Sequence, residues 1–571
     1  MSERKKPPQS PSKSNTDTPD NPSRRRLLGN VALAGAALTV AGCSPGTPSS
    51  ASAAGMPARS RKDAELDQLL RDNVRNVVVI FCENRSFNNL FADFPGLQQP
   101  LSGLSPERLQ QRDRDGSVLD TLPTIWGGLV PNKQNVDGKT YLIGQKAIKG
   151  LPNAPWKLRT PDGEPLPHEL VTNSPIHVFY RNQMQINDGK NDMFVAWGNH
   201  GALPMGYYAN NAENFHLWKL AHEYTLCDNF FMGAFGGSFL NHQYLIAARP
   251  PKYPDAHHSP AKDRIAVVEG DDPAGTRLKL AADSPASAMD GRPVFASHAS
   301  LSPDLYAVNT FGPPYSPSFN VDPNNPKLAD LSKGFILPAQ DYLTIGDTLS
   351  AKGIDWAWYG GAWQMALNGK GDHGISDTFP ESPNFQPHHQ PLNYFKQFGP
   401  GTEARSKHLR DGGVGSDASS NHFIADIVAG RLPQVAFYKP QGNLNMHAGY
   451  SDLTLGDTHI RDVVEALKKS PQWDHTMVVI TVDENGGWWD HVAPPKADRW
   501  GPGTRIPAVV VSPFAKPRHV DHTIFDTGSI QRFLNRRFGL NPLPGIIQRD
   551  EAMQKASGVK PGDLTSTLDF A

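Results

Sequence analysis

The sequence predicts an α/β protein built on a central, mostly parallel β-sheet, and three observations carry that expectation. Val77-Val78-Val79-Ile80-Phe81-Cys82 and Val478-Val479-Ile480-Thr481-Val482 are nearly unbroken β-branched runs, the signature of strands covered on both faces. A third run, Ala508-Val509-Val510-Val511, lies between Pro507 and Pro513. Amphipathic segments at 64–71 and 457–470 each precede one of the first two runs, so helix and strand alternate along the chain.

Each element follows from pattern and punctuation. Strands are expected at 76–82, 477–482 and 505–513, with further ones at 434–438 and 355–359. Helices are expected at 212–223, 421–429 and 528–538. Two long stretches, 92–165 and 250–335, are rich in Pro, Gly, Asp and Ser and show little periodicity. Irregular segments of that length inside a compact domain are usually lids or decoration, so both are read as insertions forming a cap. No internal repeat is visible, and the expectation is a single catalytic domain over 64–571.

The N-terminus reads as targeting rather than fold. Residues 1–23 are polar and proline-rich, and Arg24-Arg25-Arg26-Leu27-Leu28 then opens an apolar stretch ending at Val40-Ala41-Gly42-Cys43. That pattern resembles a twin-arginine export signal with a lipoprotein processing site over 1–43, followed by a flexible tether over 44–63. The protein is expected to be exported, to the periplasm, as a membrane-anchored lipoprotein or as a secreted protein; the alternative to lipid on Cys43 is plain cleavage near Ala51 to Ala54. The apolar part is too short and too weakly hydrophobic to predict a spanning helix.

Charge narrows the partners. The chain carries 56 basic and 57 acidic residues, and removal of 1–43 leaves 49 and 54. No overall basic field exists to attract nucleic acid, so none is expected as a partner. Cys82 and Cys227 are too few for a disulfide framework, and Cys82 reads as a buried small hydrophobe.

Chemistry is concentrated where the apolar runs end. The first delivers Glu83-Asn84 and the second Asp483-Glu484, followed by Gly486-Gly487 and then Asp490-His491. In open α/β sheets ligands sit beyond the carboxyl ends of such strands. Gly236-Gly237-Ser238 offers a serine on a tight turn entering a helix, where free backbone N–H groups stabilise an anion. His177, His388, His389 and His447 lie in loop-like segments rich in Asn, Gly and Tyr. Serine, acid pairs and histidines together suggest a phosphate pocket with metal assistance.

As a set these motifs resemble the bacterial phosphoesterases that contain non-haemolytic phospholipases C and a group of acid phosphatases. The resemblance rests on ENRSF at 83–87, HVFYRNQMQINDGKNDMFV at 177–195, MGYY at 205–208, GGSFLNHQ at 236–243, PHHQPLNYF at 387–395, HAGY at 447–450 and VDENGGWWDHVAPP at 482–495. It implies an alkaline-phosphatase-like three-layer α/β/α sandwich. It also implies one divalent metal on Glu83, Asn84, Asp483 and Glu484, with Ser238 as nucleophile. Oxygen-rich ligation suits Mg, Ca, Mn or Fe better than Zn. His177 and His447 fall on catalytic positions, and Asn241, His388, His389 and His491 on phosphate-binding ones. Asp490 and His491 either orient Glu484 or touch substrate.

The paired histidines are similar to the acid phosphatase branch, and the short stretch after 538 lacks the C-terminal repeats of many phospholipases C. The expected function is therefore hydrolysis of phosphate monoesters through a phosphoserine, on a small phosphorylated substrate. The alternative is a phospholipase C-type diesterase acting on phospholipid, and the non-enzymatic alternative is an exported phosphate-binding lipoprotein. Protonated histidines around phosphate would give an acidic optimum.

Overall fold

A computed structural model describes residues 61–571 apart from 126–127, 131–132, 143–149, 161, 210–214 and 370–383. The export signal, Cys43 and the tether up to residue 60 lie outside the described residues. The tether expected over 44–63 is corrected at its end, because a first helix α1 already spans Arg61–Asn73. Asp63 in its first turn meets the positive end of the helix dipole, and Asp63 and Asp67 both pair with Arg536.

Eight strands form the central sheet. In chain order they are β1 (Asn76–Cys82), β2 (Thr225–Cys227), β3 (Trp356–Gly361), β4 (Leu409–Gly413), β5 (Val435–Lys439), β6 (Thr476–Val482), β7 (Ala508–Val511) and β8 (His519–Asp521). Their order across the sheet is β4-β3-β5-β1-β6-β7-β2-β8. Only β7 runs against both of its neighbours. Every residue of β1, β5, β6 and β7 is buried, so both faces of the sheet centre are covered, as the apolar runs predict.

The covering helices fall into two packed groups. One joins α1 with α4 (Ser238–Ala247) and α7 (Gly528–Phe538), and the other joins α3 (His216–Glu223), α5 (His422–Val428) and α6 (Leu453–Lys468). The expected strands and helices lie within a few residues of these positions. Three strands escaped the sequence pattern. β2 and β8 hold three residues each, and β4 reads Leu-Arg-Asp-Gly-Gly with no apolar run, so pairing with neighbours alone makes them strands. The helix α2 (Phe179–Ile186) also went unread, since its apolar face spans only eight residues, about two turns.

The long stretches at 92–165 and 250–335 carry short turns and two small ribbons, Lys133–Val136 with Lys139–Leu142 and Val321–Asp322 with Asn325–Ala329. Cys82 and Cys227 are both free and buried. No helix among the described residues is long and apolar enough to cross a membrane.

Candidate active site

Sheet register builds the site. β1 and β6 pair in parallel with Cys82 opposite Val482, so the acids that follow each strand emerge side by side. Asp483 N–H continues the ladder by donating to Cys82 O at 3.1 Å. On the other flank β5 pairs with β1, and its last residue, Lys439, arrives beside Glu83. Three adjacent strand ends thus place Lys439, Glu83 and Asp483 together. The turn after Glu484 needs its glycine: Gly486 has φ of +59° and a Cβ there would lie 2.1 Å from Asn84 O.

Ser238 opens α4. Its Oγ donates toward Glu83 Oε2 at 3.2 Å and Glu484 Oε1 at 3.3 Å. Gly236 sits at φ of +95°, and a Cβ there would fall 2.4 Å from Phe179 N, so α2 and the serine turn pack backbone to backbone. Asn84 Nδ2 donates to Glu484 Oε1 at 2.9 Å. Glu83, Asn84, Glu484 and Ser238 therefore form one cluster, and Asp483 joins it through His242, whose Nδ1 is 3.7 Å from Asp483 Oδ2 and 2.8 Å from Ser238 O.

Ser238 carries the edge of the cluster into a cavity of about 560 Å³ lined also by His177, His388, His447, Phe239 and Tyr450, among others, while Glu83, Asn84, Asp483 and Glu484 lie fully buried behind it. Val130 from one long stretch, and Asn309, Thr310 and Phe319 from the other, complete its wall. His177 and His447 each point Nδ1 at a backbone carbonyl, Pro175 O and Ala448 O respectively. That contact fixes the neutral tautomer with Nδ1 protonated and leaves Nε2 facing the acids, 3.7 Å from Glu484 Oε1 and 3.6 Å from Glu83 Oε2.

Electrostatics at the cluster favour a cation. Burial and the neighbouring Glu83 push Asp483 well above the usual carboxylate range, and burial raises Glu484 to about 8. Burial acts on Glu83 in the same direction, yet Lys439, His389 and His447 outweigh it and hold Glu83 well below that range. Lys439 Nζ lies 2.7 Å from Glu83 Oε1 and 4.0 Å from Asp483 Oδ2, and Glu484 adds a third carboxyl group to the cluster, which leaves room for further positive charge. Asn84 Oδ1, Asp483 Oδ2 and His242 Nε2 are buried without a hydrogen-bond partner, and Glu83 Oε1 has Lys439 Nζ at 2.7 Å and His389 Nε2 at 2.5 Å, both without hydrogen-bond alignment. Buried polar atoms left unpaired are costly, and ligation would satisfy them. Glu83, His242 and Asp483 present ligand atoms close enough to share one ion, as do Glu83, His388 and His389. The residues present therefore fit a divalent metal.

Several expectations need correction. Burial disfavours the protonated histidines expected around phosphate: it lowers His177, drives His388 well below its ordinary value, and pushes His389 down to about 4 and His447 to about 3. That burial weighs against an acidic optimum built on protonated histidines. Asn241 does not face the cavity, because Oδ1 accepts from Ala234 N at 2.9 Å and Nδ2 donates to Gly237 O at 3.2 Å, pinning the serine turn instead. His389 turns away from the cavity with Nε2 2.5 Å from Glu83 Oε1. His491 is held apart from the cluster by Asn88 Oδ1 at 3.0 Å and Gln99 O at 3.1 Å.

Asp490 neither orients Glu484 nor reaches the cavity. Its carboxylate accepts from Arg505 Nε at 3.0 Å, Asn88 N at 2.9 Å and Val492 N at 2.8 Å. Two site residues went unread in the sequence. Lys439 ends the strand Val-Ala-Phe-Tyr-Lys, where a charged residue closing a fully buried strand was the available signal. His242 lies one turn after Ser238 on α4, which is where an i+4 side chain returns to the same helix face.

An α/β sheet with strand-end acids gathered around a serine defines a hydrolase of the phosphoester class, and sequence comparison agrees. The chain belongs to the Phosphoesterase family, whose sequence profile matches residues 74–541. Phospholipase C B of Mycobacterium tuberculosis is 24% identical over 535 residues, covering 87% of this chain and 78% of that protein. Non-hemolytic phospholipase C of Pseudomonas aeruginosa is 27% identical over 272 residues, 42% of this chain and 35% of its own. A Vibrio parahaemolyticus protein in the alkaline phosphatase superfamily aligns in structure over 67% of this chain and 72% of its own, at 12% identity and a TM-score of 0.28. That superposition is too loose to carry residue correspondences. The chain is a hydrolase acting on phosphoric ester bonds, so the non-enzymatic alternative falls away.

Proposed function

We propose that this chain hydrolyses phosphate monoesters, in the manner of the acid phosphatase branch, through a phosphoserine formed on Ser238. One observation carries the reading: Ser238 lines the cavity, and its Oγ lies 3.2 and 3.3 Å from two carboxylates buried behind it. A divalent ion held by Glu83, Asn84, Asp483 and Glu484, of the hard type that oxygen ligands favour, would supply Lewis-acid activation of the hydroxyl and neutralise phosphate charge when bound. Glu83 Oε2 and Glu484 Oε1 take the hydrogen bond of the Ser238 hydroxyl and so fix the position of Oγ.

Ser238 Oγ then attacks phosphorus in line, the ester oxygen departs, and the serine proton passes to Nε2 of His177 or His447, which returns it to the departing alkoxide. His388 lines the same cavity and steadies the phosphoryl oxygens. Water cleaves the phosphoserine, releasing phosphate and restoring the hydroxyl. Acid quench during turnover of a 32P-labelled aryl phosphate is the test. Label retained on Ser238, and absent from Ser238→Ala, is the expected result; release without any labelled protein would overturn the covalent route.

A second reading, cleavage of phospholipid diesters, is favoured by the relatives named phospholipase C over 87% of this chain. A paired assay with p-nitrophenyl phosphate and its phosphocholine diester separates the two, with monoester preference expected. We further propose export through the twin-arginine route with lipid on Cys43. Replacing Arg24, Arg25 and Arg26 by Lys should retain the protein in the cytoplasm.

A further inference from the structure

A second cavity of about 400 Å³ lies behind the segment that carries His177, sharing Val178 and Asn309 with the active-site wall. Its lining differs in kind from that of its neighbour. Arg181, Arg292 and His298 contribute to it, and among the described residues no carboxylate does. Arg181 belongs to the HVFYRNQMQI stretch of the sequence, yet it has no part in the chemistry at Ser238. It is held rather than free: Nε donates to Trp197 O at 2.8 Å, Nη2 to Gly198 O at 2.5 Å, and the guanidinium lies over the Phe295 ring at 5.3 Å. Arg292 and His298 are exposed at the mouth.

The charge is not cancelled locally. Burial lowers Arg181 to about 9, and the charges bearing on it are those of Arg114 and Arg292, both of the same sign. Arg114 has Asp113 and Asp290 beside it, which partly offsets its own charge on the far side of the cluster. A rigid, partly buried guanidinium next to a second arginine and without an acid is how proteins prepare a place for a carboxylate or phosphate. The cavity is also within the size range of small-ligand sites.

We infer that this pocket binds an anionic group, a phosphate or carboxylate, beside the catalytic cavity. If substrate carries that group, the pocket selects substrates with a second negative charge near the scissile phosphate. This part rests on the hydrolytic reading above, whereas anion binding itself does not.

Arg292→Ser is the informative variant, because Arg292 is exposed and its loss leaves the sheet and the cluster intact. The first measurement needs no turnover: the thermal midpoint is followed as sodium sulfate is added at constant ionic strength. The wild-type protein should be stabilised with an apparent affinity about tenfold tighter than that of Arg292→Ser, the loss expected for one charge-assisted hydrogen bond. Equal affinities would overturn the pocket, whatever becomes of the catalytic reading. The second measurement compares phenyl phosphate with propane-1,3-diyl bisphosphate. If the anion is borne by substrate, Arg292→Ser raises KM for the bisphosphate about tenfold and leaves phenyl phosphate unchanged. If the anion is free, sulfate alters turnover of phenyl phosphate in the wild type and not in Arg292→Ser. Absence of both kinetic effects would overturn a role for the pocket in turnover, whereas equal sulfate affinities overturn the pocket itself.

Discussion

Replacement of Asp490 tests whether the tail of the second acid motif is structural or chemical. Asp490 is fully buried and pairs with Arg505, which is 1% exposed, while its carboxylate also takes the backbone N–H groups of Asn88 and Val492. Asp490→Ala leaves the Arg505 guanidinium buried without a carboxylate, with Asp228 O, Asn88 Oδ1 and the Phe87 ring as its remaining partners. Removing one member of a buried pair costs about 3–5 kcal/mol, because the remaining charge is uncompensated. Unfolding entropy scales at ~2.1 cal/mol/K per residue, so a domain of roughly 500 residues gains ~1 kcal/mol of unfolding entropy per kelvin, and the midpoint should fall by about 3–5 °C. Calorimetry on purified protein measures that shift directly. The double variant Asp490→Leu with Arg505→Met removes both charges and should recover most of the loss, since a well-packed apolar pair is often as stable as the ion pair it replaces. A midpoint within about 1 °C of wild type for Asp490→Ala, or a double variant no better than the single one, would refute the assignment of Asp490 to structural support.

Other expectations follow from the same site. Dialysis against EDTA should abolish phosphoester hydrolysis and lower the midpoint, and readdition of a saturating divalent ion at about 1,000 times its Kd should restore about 4 kcal/mol of stability. A midpoint indifferent to chelator and metal would argue against ligation by the acid cluster. Lys439→Met removes the ammonium 2.7 Å from Glu83, so the metal-free protein should lose about 3 kcal/mol and added metal should stabilise the variant more than the wild type; equal metal-induced shifts would count against a shared role as counter-charge. In Cys43→Ser protein, Ellman's reagent should find no reactive thiol before unfolding and two afterwards, because burial raises Cys82 to about 12 and holds Cys227 well above its ordinary value. Rapid labelling of the native protein would contradict that burial.

The legible part of the site is the part that local pattern encodes. Apolar runs that stop at Glu83 and at Asp483 announce strands and their ends, and glycines before Ser238 announce a turn into a helix. Nothing local announces that Asn241 and Asn84, both amides in polar motifs, have different tasks. Asn84 bonds Glu484, whereas Asn241 ties its own turn. Likewise His388 and His389 are adjacent in sequence, yet one lines the cavity and the other is turned onto Glu83.

What the sequence by itself determines here is the α/β class, the strand ends that carry acid pairs, the serine turn and the family, because each depends on residues close together in the chain. Tertiary structure decided the rest. The register of β1 against β5 and β6 brought Lys439, which no motif had singled out, to the carboxylates that need a counter-charge. Arg505 drew Asp490 into the core and away from the chemistry. Burial, which only the folded chain possesses, disfavours the positive charge expected of the histidines and leaves the acid cluster suited to a divalent ion. Distances between residues hundreds of positions apart, and the dielectric they share, are set by packing rather than by pattern.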